Sequence, residues 1–520
     1  MESHPPRALA VSFSHGEILV ILSGVMLGML LAGLDQTIVA TALPTIAREL
    51  HGLEHMSWVV SAYLLTSTAT TPIYGKLSDL YGRRTMLQIA IGIFLVASLL
   101  CALAQSMSQL ILFRGVQGAG GGGLIAMAHA TIADVIAPRD RGRYQGYFSS
   151  VFGATSVAGP VLGGFFADHL SWRWVFWINL PIGIAAMLIS NRALRKLVVR
   201  RATLEIDYWG ALLLVAAVCA LLLVTTWGGI EWPWISPVIL GLGLSGLVLL
   251  AAFVLREQVA REPILPLRLF RNAVFSVTSL TSFLTSMAMF GAIVFLPLFL
   301  QLVGGDTASR SGLLLIPLTG TIVVGAFTAG RAVSRTGRYK IYPCAGLLLA
   351  TIAFGLLSLM DAGTPHLESG FFMALLGLGL GMVLPVMVVA TQNAIELRDL
   401  GTGTAALNFF RSMGGSFGVA MLSTVLLLQL TDRMASIPGH EGLGPHPALD
   451  LLHGDAGGIA ALAAGARALL LAAVERSFTA VFLMAGGVAF LGLIAALFLK
   501  ELPLRTTPAL ASPPQPPDEL

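Results

Sequence analysis

The chain has 520 residues, of which 56% are hydrophobic and only 11% charged, with 31 Lys and Arg against 27 Asp and Glu. A soluble domain carries about 25% charged residues, so these charges cannot cover a water-soluble protein of this length, and a mean hydropathy of +0.83 points the same way. Lipid is the expected solvent for most of the chain, which excludes a cytosolic enzyme, a secreted disulfide scaffold and a disordered interaction protein.

The polar stretch from Met1 to Gly16 leads into an apolar run that continues past Ala47, too long for a signal-peptide core and without a convincing cleavage site. A bilayer core about 30 Å thick needs roughly 20 apolar residues per helix. That length, read against polar punctuation, predicts fourteen spans: 17–47, 56–75, 85–104, 108–134, 144–167, 174–192, 207–227, 235–255, 273–301, 312–333, 341–360, 370–393, 403–429 and 477–499. An even number puts both termini on one side. With that side inside, twenty-three Lys and Arg fall in inner segments and six in outer ones, a strong positive-inside bias. The net charge of +4 therefore encodes orientation in a membrane, not affinity for nucleic acid. The longest outer segment, 431–474, holds an Ala/Leu-rich stretch at 459–474 that predicts a short surface helix, and the proline-rich end reads as disordered.

Three matches in order at nearly constant offset point to an internal repeat. Gly75 to Arg83 pairs with Gly330 to Arg338, Leu43-Pro44 with Leu296-Pro297, and Gly118, Gly120 and Gly122 with Gly377, Gly379 and Gly381. Related halves are how transporters are commonly built. The expected layout is a tail at 1–16, a six-helix bundle at 17–192, and a linker with two extra membrane helices at 193–272. A second six-helix bundle follows at 273–500, then a disordered tail at 501–520.

Asp35 is the acidic residue deep inside a span. Placing a carboxylate there costs on the order of 3 kcal/mol, so it should face a cavity, pair with a cation or hold a proton. Arg114 is the candidate partner: both residues lie roughly 10–14 Å below the outer ends of antiparallel helices. Gln117, one turn from Arg114, extends the polar set. Gly118 to Gly123 formally fits a dinucleotide fingerprint, but the run interrupts an apolar span and follows no strand, so close helix packing is the better reading. No Walker-type loop follows it, and neither a metal-ligand spacing nor a catalytic triad stands out. Energy should come from an ion or substrate gradient, with no cofactor. Cys101, Cys219 and Cys344 lie far apart in apolar runs and read as packing residues. His129 reads as structural or water-exposed.

Taken together, these residues resemble the major facilitator superfamily, and more narrowly its fourteen-span drug:proton antiporters of QacA/EmrB type. Gly75, Asp79, Gly82, Arg83 and Arg84 look like the superfamily's loop motif between spans 2 and 3. Leu34-Asp35 to Pro44 resembles the first-span motif, Arg114 with Gln117-Gly118 the fourth-span motif, and Gly153, Gly159, Pro160, Gly163 and Gly164 the antiporter motif of the fifth. Trp172 to Pro181 and Phe410 to Gly415 are also family-like. The resemblance implies an all-α polytopic membrane protein with the major facilitator fold, two six-helix bundles plus two inserted helices. It implies an inner gate locked by Asp79, Arg83 and Asp134, and proton coupling through Asp35 and Arg114.

The leading expectation is proton-coupled efflux of small amphipathic or lipophilic compounds across the cytoplasmic membrane, with both termini cytoplasmic. Gln117, Phe283, Met287, Gln392, Asn408 and Arg411 are candidates for the substrate cavity. Expected partners are a small-molecule substrate, protons and membrane lipids, with a periplasmic adaptor left open and no nucleic acid. Uptake or uniport of a metabolite is the alternative. A membrane receptor or enzyme would need a soluble domain or a catalytic cluster, and neither stands out.

Overall fold

The computed structural model describes residues 15–52, 55–196, 207–229, 231–306, 308–434 and 464–505. Those residues are almost entirely helical, with one isolated bridge between Gly228 and Trp232. In lipid each backbone N–H and C=O needs an internal partner, and a helix supplies one within its own segment.

Helical backbone occupies all fourteen predicted spans. The first half comprises α1 (His15–Glu49), α2 (Met56–Tyr81), α3 (Arg83–Ala102), α4 (Met107–Val135), α5 (Pro138–His169) and the broken pair α6 (Trp174–Trp177) and α7 (Asn179–Ala193). The inserted pair is α8 (Tyr208–Trp227) and α9 (Pro237–Val259), followed by the short α10 (Arg268–Arg271). The second half holds α11 (Ala273–Leu302), α12 (Ala308–Leu314), α13 (Ile316–Thr336), α14 (Ile341–Leu357), α15 (His366–Ala394), α16 (Leu400–Met434) and α17 (Ala464–Leu497). Twelve of these helices are long and apolar enough to cross a membrane. The other two spans fall short for different reasons. Helix α2 carries a run of hydroxyl residues from Thr66 to Thr71, and α14 has 17 residues.

Two expectations are corrected. The stretch at 459–474 is no separate surface helix: from Ala464 onward it is the first part of α17, which continues unbroken to Leu497. Polar Arg467, Glu475 and Arg476 interrupt the apolar run there, but helical hydrogen bonding does not need apolar side chains. The segment just after α17 is also ordered. Residues 501–505 lie against the second half through Tyr339, Asn393 and Ile395, while 1–14, 197–206, 435–463 and 506–520 lie outside the described residues.

Each half has its own core. In the first, Val25, Leu31, Leu87, Phe94, Leu124 and Phe148 are buried together. In the second, Phe295, Phe299, Phe354, Leu422, Phe478 and Phe482 are. The inserted pair joins a third cluster, in which Leu214, Val218 and Leu222 meet Leu65 and Ala69 of α2 and Phe409 of α16. Helices α8 and α9 therefore lie along the seam where α2 and α16 meet.

Candidate functional site

Within the first half, α1, α3, α4 and α7 converge on Asp35. The glycine run of α4 permits this, since a Cβ on Gly120 would lie 2.8 Å from both the Ala90 carbonyl oxygen and the Phe94 nitrogen of α3. Arg114 Nη1 donates to Asp35 Oδ2 at 2.5 Å. Asp35 Oδ1 accepts from Gln117 Nε2 at 2.9 Å and from Asn179 Nδ2 at 2.8 Å. Those two amides also donate to Ser98 Oγ, at 2.7 and 3.1 Å. Arg114 is further held by the Val59 carbonyl and lies over the Tyr63 ring, 4.4 Å from its centroid. Asp35, Ser98, Gln117 and Asn179 are fully buried and Arg114 almost so.

Both oxygens of a buried carboxylate are thus occupied and its charge is matched, the condition under which an ion can remain in a low-dielectric interior. The expected Asp35–Arg114 pair is present. Gln117 belongs to this network, away from any cavity in this state. Asn179 and Ser98 were not singled out as partners of Asp35.

A second network closes one end of the seam between the halves, the end rich in Arg and Lys, hereafter the basic end. Arg83 pairs with Asp79 at 2.6 Å and Asp134 at 2.8 Å, and also donates to Ser78 Oγ. Asp79 in turn reaches across to α16, accepting from Gly401 N at 3.2 Å, Thr402 N at 2.9 Å and Thr402 Oγ1 at 2.9 Å. A carboxylate here satisfies orphan N–H groups at a helix start and faces the positive end of its dipole. Gly82 adopts φ 90° between α2 and α3, a left-handed conformation suited to glycine. Gly75 leaves room for Ala405 and the Gly401 carbonyl. Arg84 holds Asn191 at 2.6–2.8 Å, within its own half.

Other links cross the same end. Gly142 of α5 and Gly330 of α13 touch backbone to backbone. Arg139 donates to the carbonyls of Ser334 and Arg505, and Gln392 Nε2 donates to the His129 carbonyl at 3.2 Å. His129 is buried, not water-exposed. The linker after α9 adds Lys76–Glu262 at 2.6 Å on one side and Arg268–Asp399 at 2.9 Å on the other.

The antiporter-like motif lies on α5 against α1. A Cβ on Gly159 would collide with Thr37, whose hydroxyl donates to the Thr155 carbonyl at 3.0 Å. A Cβ on Gly163 would lie 2.7 Å from the Ile38 carbonyl oxygen, and Gly153 faces Val323 of α13. Gly164 has open space, and Pro160 sits within the helix. Thr37 and Ile38 of α1 thus pack directly onto the glycine face of α5, which presents no side chain of its own there.

Of the remaining cavity candidates, Met287, Gln392 and Asn408 are buried, with Gln392 at the seam beside His129. Phe283 is half-buried and lies 5.9 Å, centroid to centroid, from the Phe417 ring. Arg411 is half-buried, and among the described residues it makes no hydrogen bond or ion pair. Cys101, Cys219 and Cys344 are free thiols.

The family model described as Major Facilitator Superfamily matches residues 25–204 and 208–419. An uncharacterized MFS-type transporter of Mycobacterium tuberculosis is 41% identical over 488 residues, which cover 93% of this chain and 70% of that one. The multidrug transporter protein MdtP of Bacillus subtilis is 40% identical over 421 residues, covering 80% of this chain and 77% of its own. Among solved structures, the human organic anion transporter MFSD10 superposes with a TM-score of 0.62 over 95% of this chain and all of its own, at 16% identity, a likeness of fold.

Proposed function

Because the chain belongs to the major facilitator superfamily, we propose that it exports small amphipathic or lipophilic compounds across the cytoplasmic membrane by alternating access, driven by proton entry. Relatives named as multidrug transporters support the direction and the cargo class. The buried Asp35–Arg114 pair is the observation that carries the coupling. A proton on Asp35 removes its charge and weakens its hold on Arg114. Helix α1 is thereby released to shift against Gly159 and Gly163 of α5. Cargo would leave from the state described here, in which the basic end is closed by Asp79, Arg83 and the Gly142–Gly330 contact. Reopening that end would admit the next molecule.

In this reading the basic end and both termini face the cytoplasm, as the positive-inside rule favours. The cargo, protons and lipid are the partners. Purified protein in proteoliposomes with an imposed pH gradient should move at least one of three amphipathic dyes, cationic, neutral or anionic, against its own gradient. Asp35→Asn should abolish that uphill movement. Movement that ignores the pH gradient would indicate a uniporter, and retained coupling in the variant would place the proton elsewhere.

A further inference from the structure

Resting on the exporter reading, we propose that Arg411 is the recognition site for an anionic group on the cargo, and that amphipathic sulfonates and carboxylates are the preferred substrate class. Helix α16 changes character at this residue. Every position from Leu400 to Phe409 is buried against the closed seam, whereas Phe410 to Met413 are half-exposed. Arg411 stands about 16 Å along the helix from Leu400, at the middle depth of a membrane. Helix α16 packs against α2 and α4 of the first bundle, and His129 of α4 lies within electrostatic reach of Arg411. This places it on the helix that closes the seam, above the Asp79 and Gln392 contacts.

Its surroundings lack a counter-ion. The buried arginines of the first half have partners: Asp35 for Arg114, Asp79 and Asp134 for Arg83, and the Ala133 and Ile136 carbonyls for Arg141. Arg411 has none of these among the described residues. A guanidinium at this depth, only half in contact with water, is held poorly until an anion meets it. Two buried acceptors on the same side of the seam, Asn408 Oδ1 one turn below and Gln392 Oε1 beside Thr404 about two turns below, also have no partner. They can accept from N–H or O–H groups of a molecule whose anionic head sits on Arg411. The apolar body has a surface at hand, since Gly414, one turn above, lies against Phe283, which neighbours Phe417. Charge-assisted, forked hydrogen bonding suits carboxylates and sulfonates, each of which presents at least two anionic oxygens.

The test uses two dyes with one aromatic skeleton, anilinonaphthalene sulfonate and its uncharged counterpart phenylnaphthylamine, with ethidium as the cation. Binding to the purified protein in phosphatidylcholine nanodiscs and transport in phosphatidylcholine vesicles are both measured, which removes anionic lipid as a source of the charge. Wild type should bind the sulfonate about tenfold tighter than the neutral dye. Arg411→Gln should lower that preference about tenfold, through KM more than kcat. Arg411→Lys, which keeps the charge but not the fork, should retain a preference for the sulfonate intermediate between wild type and Arg411→Gln. Sulfonate binding that shows this pattern with no transport supports the anion site and overturns the exporter reading. Transport of ethidium or the neutral dye in preference to the sulfonate overturns the anion site and leaves the exporter reading standing. Loss of both skeletons in parallel in Arg411→Gln shows a structural arginine and also overturns the proposal.

Discussion

Asp79→Asn isolates the carboxylate that, among the described residues, ties the two bundles together directly. Asp79 contributes twice: to Arg83 within its own half, and to the start of α16 across the seam. The Arg83 pair lies within one bundle, and Arg83 also holds Asp134 there, so the contacts to Gly401 and Thr402 are the ones expected to shift the balance of states. A side-chain cap contributes about 1 kcal/mol and a charge at a partly buried helix N-terminus about 1 kcal/mol more. Asparagine keeps one acceptor oxygen but loses the charge. With about half of the cap retained, a net loss of about 1.5 kcal/mol corresponds to roughly 13-fold in the equilibrium. If about 1% of molecules are open at the basic end, the variant should raise that to about a tenth. Spin labels on exposed Asp140 of α5 and Thr336 of α13, in a background without the three native cysteines, read the two populations as short and long distances. A distance distribution unchanged by Asp79→Asn would refute the assignment of Asp79 as an inter-bundle latch.

Asp35→Asn should be less stable than wild type by about 3–5 kcal/mol, because it leaves Arg114 charged and buried. Adding Arg114→Gln should recover much of that loss in an SDS unfolding titration, and a single variant as stable as wild type would contradict the network. Gly330→Ala places a methyl group on the Gly142 carbonyl, so the same spin-label pair should shift toward the long distance; an unshifted distribution would mean that the backbone contact is not needed for closure. Tyr339→Phe removes a hydroxyl that donates to the Lys500 carbonyl at 2.7 Å and accepts from Leu502 N at 2.8 Å. A hydrogen bond contributes about 1 kcal/mol, so the Leu502 amide should exchange with deuterium several-fold faster, and unchanged exchange would show that the segment is held elsewhere.

Some of this architecture was legible because its physics is carried by side chains. Apolar length located the helices. Even α2, whose hydroxyl residues lower its hydropathy, was legible as an apolar stretch at 56–75, although its helix runs on through the motif residues Gly75 to Tyr81. The Asp35–Arg114 pair was legible because two charges at equal depth on antiparallel helices have few other ways to be compensated. Asn179 and Ser98 left no such signal, since a neutral amide or hydroxyl costs little to bury and is common in helices. The partners of Asp79 were hidden for another reason: two of them are backbone amides of Gly401 and Thr402, groups that every residue has. The prolines at 503 and beyond suggested disorder, yet a segment without regular structure is ordered where Tyr339 and Asn393 supply the hydrogen bonds it lacks. Polar residues near the start of α17 masked a helix whose backbone continues regardless.

The docked segment after α17 also governs how the protein should be handled. Arg505 accepts from the Arg139 amide on one bundle and donates to Asn393 and Ile395 on the other. A reporter or purification handle fused at that point would sit on the line along which the bundles separate, and its bulk would act as a wedge. The same handle placed after residue 520 keeps residues 506–520 as a spacer, and measurements made with the two fusions should not be treated as measurements of one protein.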